Sequence, residues 1–249
     1  MYNLSIITIN KNNKNGLNKT IESVIIQNFK NFEFIVIDGD SEDGSGLILD
    51  KYKSNIDITI SEQDSGIYDA MNKGLAKAKG EYILFLNSGD MLYAPNVLQE
   101  LFNEISGEDY FYGNVALMND AQEIKILPSA ETIYFADRYQ HNLPMQPVFF
   151  AKKKLLQQFG GFDEQYKIIA DVALIAKICS SNAKYKFINI PVTLFDTSGI
   201  SSQQKNQAKI YRERQHFLKS NFPQYLEDFE HLYKRNFLKS VLNKLKSWF

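Results

Sequence analysis

The chain has 249 residues, 44% hydrophobic and 13% aromatic, which is enough apolar material for one large core or a domain and a half. A formal net charge of −1 excludes a general nucleic-acid binder, because no broad positive field is available to neutralise phosphates. The charge is unevenly placed: residues 205–249 hold ten Lys/Arg against four Asp/Glu, a local +6 that leaves −7 on the first 204. Only one end is therefore suited to an anionic surface.

Leu4–Ile9 is a short, β-branched apolar run and predicts a buried strand. After the polar loop Asn10–Asn15, residues Leu17, Ile21, Val24, Ile25 and Asn28 recur at helical spacing through Phe29. Phe34–Ile37 predicts a second strand, Leu47–Tyr52 a helix and Ile56–Ile60 a third strand. Gly66–Lys79 predicts a helix with Ile67, Ala70, Met71, Gly74, Leu75 and Ala78 on one side, and Tyr82–Leu86 a fourth strand. Strands alternating with helices predict βαβ units, a mainly parallel sheet flanked by helices, and an α/β class.

Beyond Pro95 the pattern loosens into a helix at Val97–Ile105, a strand at Tyr110–Met118 and an irregular region at Leu127–Asn142. A strand at Val148–Ala151, helices at Lys152–Phe159 and Ala170–Cys179, and a strand at Tyr185–Ile190 follow. No repeat or low-complexity linker interrupts the chain, so one domain is expected over 1–204 and a helical tail over 205–249. The single cysteine, Cys179, sits in the apolar run Ile175–Cys179, which predicts packing rather than chemistry. No basic start, apolar stretch and cleavage site precede the first strand, and no run reaches the roughly 18 apolar residues of a spanning helix. The expectation is a cytoplasmic protein, or one held peripherally on the inner face of the plasma membrane.

Three polar clusters fall at predicted strand ends: Thr8–Asn10, Asp38–Asp43 and Asn87–Asp90. Ligands of parallel sheets bind beyond the carboxyl ends of the strands. An acidic loop directly after a buried strand holds a carboxylate rigidly at that edge. There a divalent metal can be bound by few protein ligands and completed by phosphate oxygens, so Asp90 is the candidate ligand. Ser88-Gly89-Asp90 and Asp38 also suit ordinary turns. The helix start at Gly66 suits an anion, although Asp64 or Ser65 is expected to cap it. Asp69, Asn72 and Lys73 lie in its first turns, with Lys73 open between a ligand and solvent.

Ser5-Ile6-Ile7-Thr8, the turn Asp38–Gly44, the segment Gly66–Gly74 and Phe85–Asp90 resemble the successive motifs of family 2 glycosyltransferases, which have the Rossmann-like GT-A fold. Within that family the chain is most similar to the bacterial subgroup building colanic-acid-type exopolysaccharide and O-antigen repeat units. The resemblance runs over residues 3–203. It implies that Thr8, Asn10 and Asp38 hold the nucleoside. It implies further that the motif containing Asn87 and Asp90 carries the diphosphate and a divalent metal, magnesium or manganese. By the same resemblance Asp69, Asn72 and Lys73 lie on the donor side, and the co-substrate is a nucleotide-sugar, by family habit a UDP-sugar. Asn87 and Gly89 stand where many relatives carry further acids.

Phe162–Asp171 resembles the acceptor-side motif, in which the last Asp is the general base; Asp171 inherits that role. Val172 and Ala173 depart from the aromatic and second Asp common in relatives, and Met145-Gln146 stands in place of a His-Gln pair. His141 reads as a loop histidine. Gly199-Ile200-Ser201 resembles a late motif that closes over the donor. Together these imply an inverting hexosyltransferase with a glycan or polyprenyl-diphosphate-linked acceptor.

In the tail, Lys234, Arg235, Lys239, Lys244 and Lys246 flank a stripe of Phe237, Leu238, Val241, Leu242, Leu245, Trp248 and Phe249. Such a basic amphipathic helix can lie in an anionic headgroup layer or pack on protein. Two rival readings carry different products. A sugar nucleotidyltransferase would release pyrophosphate, but the lysine-rich stretch Asn10–Gly16 has only one glycine. A non-catalytic sugar-nucleotide-binding module would release nothing.

Overall fold

A computed structural model describes residues 2–118, 124–132, 143–197, 199, 203–231 and 233. Its first half follows the alternation expected: β1 (Leu4–Asn10), α1 (Lys14–Ile25), β2 (Phe32–Asp38), α2 (Ser45–Lys51), β3 (Ile58–Ser61), α3 (Ile67–Lys77) and β4 (Tyr82–Phe85). These four strands lie side by side in the order β3-β2-β1-β4, and every pair among them is parallel. The period of two along each strand explains the layering. Ile7, Ile9, Ile35, Ile37, Ile83 and Phe85 face one core, whereas Leu4, Ile6, Phe34, Val36, Tyr82 and Leu84 face the other. The second core is closed by α1 and α2, and the first by α3.

The second half continues the sheet with mixed directions. It comprises β5 (Met91–Leu92), α4 (Val97–Glu104), β6 (Tyr110–Met118), β7 (Ile124–Leu127), β8 (Phe149–Lys152), α5 (Lys153–Gln158), α6 (Ala170–Cys179), β9 (Tyr185–Phe195) and α7 (Gln207–Asn221). β8 joins β4 antiparallel, β6 joins β8 antiparallel, and β9 runs parallel to β6. Thus β1–β4, β6 and β9 share one direction and end at one edge, which gives the GT-A architecture. Helices α3 and α6 lead back into strands of that set, so both begin at this same edge.

Four elements differ from expectation. β5 and β7 are too short or too polar in pattern to stand out, and both are fixed by pairing rather than propensity. β9 runs through Pro191 to Phe195 because the register shifts opposite Asn114, where the proline's missing donor is tolerated. α3 is capped by Gly66 with no side-chain acceptor, not by Asp64 or Ser65. Cys179 packs against the first core, and burial pushes its thiol up to about 12, as suits a packing role. His141, Ile200, Ser201 and residues 234–249 of the amphipathic stripe lie outside the described residues. Among the described residues no helix is long and apolar enough to cross a membrane.

Candidate active site

At the carboxyl edge of the parallel strands, Asn10 is the hub of a polar network. Its Nδ2 donates to Asp38 Oδ1 at 2.7 Å and to Ser45 Oγ at 3.0 Å, and its Oδ1 accepts from Ser88 Oγ at 2.8 Å. One buried amide therefore ties the ends of β1, β2 and β4 together. Asp38 is almost completely buried and accepts from the Ser41 backbone N–H, Ser41 Oγ and Ser61 Oγ at 2.7–3.0 Å. Burial alone would raise its pKa, but the hydrogen bonds from Ser41, Asn10 and Ser61 outweigh it and hold the carboxyl below the usual range. Thr8 is fully buried and its hydroxyl is committed to the Leu86 carbonyl at 2.7 Å. Its side chain supports the turn after β4 and is enclosed.

The turn after β4 is braced from α1. Thr20 Oγ1 donates to the Asp90 carbonyl at 2.7 Å and accepts from the Gly89 N–H at 2.9 Å. Gly89 sits at φ +111°, and a Cβ there would lie 2.4 Å from Asp196 Oδ2. The short pairing of β5 with β9, Met91 opposite Leu194, brings Asp196 beside this turn. The Asp196 N–H donates to Asp90 Oδ1 at 2.9 Å. The space that a side chain at position 89 would take is thus filled by the Asp196 carboxylate, a residue that sequence inspection missed because 106 positions separate it from Asp90.

Asp90 is buried, and its carboxyl is pushed up to about 7, first by desolvation and then by repulsion from Asp196, against the backbone hydrogen bond that lowers it. Next to it, Asn87 donates to Gln146 Oε1 at 3.2 Å while its own Oδ1 is buried without a partner. Gln146 in turn donates to the Phe85 carbonyl. The buried Asp90 carboxylate, the partly exposed Asp196 carboxylate and an orphaned amide oxygen offer hard oxygen donors, which fits a divalent cation of the magnesium or manganese type. Among the described residues no group of three or more His, Cys, Asp or Glu could hold a metal.

Asp171 lies in the first turn of α6. The hydroxyl of Tyr68, in the first turn of α3, donates to Asp171 Oδ1 at 2.9 Å. Desolvation raises the Asp171 pKa, partly offset by Tyr68, by local backbone N–H groups and by the positive charge of Arg214. Tyr68 stacks on Phe162 with centroids 5.8 Å apart, and Phe162 meets Phe85 edge-on at 4.8 Å. Contacts therefore run continuously from β4, below the Asn87–Asp90 turn, to Asp171.

Asn72 and Lys73 are both engaged within the protein. Asn72 Nδ2 donates to the Phe162 carbonyl at 2.8 Å and its Oδ1 accepts from the Phe162 N–H at 2.9 Å, pairing α3 with the acceptor-side loop. Gly161, at φ +69°, admits this contact, since a Cβ there would lie 2.8 Å from Asn72 Oδ1. Lys73 is held by Glu62 at 2.9 Å and Asp69 at 3.3 Å, so both Asp69 and Lys73 brace the loop between β3 and α3. Asn10, Asp38 and Asp90 are thus buried at one edge, and Asp171 stands at the start of a helix that begins there.

Residues 5–170 match Glycosyl transferase family 2, and the chain belongs to that family. An uncharacterized glycosyltransferase of Mycobacterium tuberculosis is 31% identical over 220 residues, covering 82% of this chain and 79% of its own. A putative teichuronic acid biosynthesis glycosyltransferase, TuaG of Bacillus subtilis, is 26% identical over 247 residues, 90% of this chain and 95% of the relative. The fold is shared with S. aureus TarS 1-349 in complex with UDP-GlcNAc, at a TM-score of 0.71 and 18% identity, covering 92% of this chain and 71% of that one. The chain spans 39% of the longer TarS chain.

Proposed function

We propose that the enzyme transfers a sugar from a UDP-sugar to a glycan or lipid-linked acceptor in cell-surface polysaccharide assembly, with inversion at the anomeric carbon. The observation that carries this reading is the partly buried Asp171 carboxylate, oriented by Tyr68 at the edge where the Asn10–Asp38–Ser88 network sits. Asp171 takes the proton from the acceptor hydroxyl as that oxygen attacks the anomeric carbon from the face opposite the nucleotide. Burial raises its pKa, which makes it a stronger base than an ordinary carboxylate. The Asn10–Asp38 network fixes the loops that receive the nucleoside. Asp90 and Asp196, with the Asn87 amide oxygen nearby, would hold a divalent cation, which supplies charge neutralisation for the departing diphosphate.

A screen of common nucleotide-sugars with and without magnesium or manganese, read as nucleoside diphosphate release, tests the donor and the cation together. Pyrophosphate release would instead indicate a nucleotidyltransferase, and no release a binding module. Asp171→Asn is expected to lower kcat by roughly 10²–10⁴-fold with donor binding retained; a wild-type rate in this variant would remove the base assignment. Contact between the tail and an anionic membrane face belongs to the same proposal, and full-length protein that ignored anionic liposomes would exclude it.

A further inference from the structure

The helix that carries Asp171 has no cap of its own: Ile169 at its start offers no side-chain acceptor. The consecutive backbone N–H groups of Lys167, Ile168 and Ile169 instead converge on one carboxylate, that of Glu213 in α7. Lys167 N–H donates to Oε1 at 3.0 Å, and Ile168 and Ile169 N–H donate to Oε2 at 3.0 and 3.3 Å. Successive N–H groups arranged in this way form an anion-binding concavity. A side chain more than forty residues away fills it here. One turn further along α7, His216 Nδ1 lies 3.3 Å from Tyr166 Oη, and Phe217 meets the Tyr166 ring edge-on at 6.1 Å. Ile210, Phe217 and Leu218 are buried in the same core as α6, so α7 is anchored to the sheet. The grip ends two residues before Asp171.

We propose that Glu213 is a positioning residue that sets the place and direction of the Asp171 carboxylate, making α7 part of the acceptor side of the site. The inference rests on the reading of Asp171 as the general base. A displacement of about 1 Å in a reacting group is enough to cost up to 100-fold in rate, even when its cause lies outside the reacting groups. Glu213 reaches the acceptor side only, and the donor network of Asn10, Asp38 and Ser88 is built from other elements.

The test is a set of full-length variants assayed for kcat and donor KM: Glu213→Ala, Glu213→Gln, Asp171→Asn and Asp171→Asn/Glu213→Ala. Glu213→Ala is expected to lower kcat about 10- to 100-fold with donor KM within about twofold of wild type. Glu213→Gln, which keeps the length and one acceptor oxygen, should fall between, and it carries the test if the alanine variant does not fold. In the Asp171→Asn background, removing Glu213 should change kcat no further, because the residue acts through Asp171. Wild-type kcat in both Glu213 variants with Asp171→Asn inactive would overturn the positioning role and leave the base assignment standing. An equal further loss in the double variant would show a structural effect only and also overturn it. Full activity of Asp171→Asn would overturn both readings.

Discussion

Asp38 and Asp90 each follow a buried strand at the same edge of the same sheet, yet they are wired in opposite ways. Asp38 is surrounded by short donors, Ser41, Ser61 and Asn10, and its charge is stabilised until its pKa falls below the usual carboxylate range. Asp90 faces desolvation and a second carboxylate, with few donors in return, and its pKa rises to about 7. The first arrangement uses the charge to hold loops in place. The second leaves the charge with little compensation from the protein, a gap that the proposed cation would fill. Replacing each carboxylate by its amide should therefore have opposite effects on stability.

The largest effect is expected at Asp90. In chelator-treated protein, the folded state keeps a proton on Asp90 between the unfolded value near 3.9 and the folded value of about 7. Stability from this group therefore falls as pH rises through that window and is lowest above it. Asp90→Asn removes the penalty while its oxygen can still accept from the Asp196 N–H. Its Tm should exceed wild type at pH 8, by about 2–4 °C for each kcal/mol recovered, and converge with it near pH 4. The same variant should lose about 100-fold or more in kcat, and its Tm should no longer respond to manganese. A lower Tm at pH 8 without cation would break the comparison.

At Asp38 the sign reverses. Oδ1 accepts from the Asn10 amide and Oδ2 from the Ser41 backbone N–H, so an amide in either orientation sets its NH2 group against an N–H donor. Asp38→Asn should destabilise by about 1–3 kcal/mol, the cost of a buried polar group left unpaired. The wild-type contribution is fully present above the unfolded value near 3.9 and is lost as pH falls through the lower folded value. The difference in denaturant midpoint between variant and wild type should therefore shrink below pH 4. Since the site is built on these loops, donor KM should rise as well.

How much of this could be read from the chain differs between the two halves. β1 to β4 and their helices were legible because β1, β2 and β4 each contain a short apolar run, β3 alternates isoleucine with polar residues, and helical spacing marks the segments between. Asn10, Asp38 and Asp90 were legible as candidates because polar residues directly after such runs have one place to go. Asp196 and Glu213 were not, because each acts across the fold: one through the two-residue strand β5, the other through a helix that reads as a tail. The side chains of Thr8, Asn72 and Lys73, candidates in the sequence with Lys73 open between ligand and solvent, make hydrogen bonds to Leu86, Phe162 and the loop at Glu62–Gln63 that no pattern announces. Pattern alone cannot tell a polar group that faces a ligand from one that holds the loop beside it.

Lys73 offers the smallest and most discriminating test of that last distinction. Its ammonium lies between Glu62 and Asp69 and donates to the Gln63 carbonyl at 3.2 Å, so the positive charge is already shared by the loop between β3 and α3. Ion pairs this open to solvent contribute little to stability, and screening by salt weakens them further. Lys73→Met should therefore leave kcat unchanged and raise donor KM by less than about threefold, with the difference shrinking as ionic strength increases. A tenfold or greater rise in donor KM would mean that the ammonium leaves its carboxylates to meet the diphosphate. Lys73 would then resemble Asp90 in its proposed role, a group completed by the substrate, and the contrast drawn from Asp38 would extend to the bases of this edge as well as its acids.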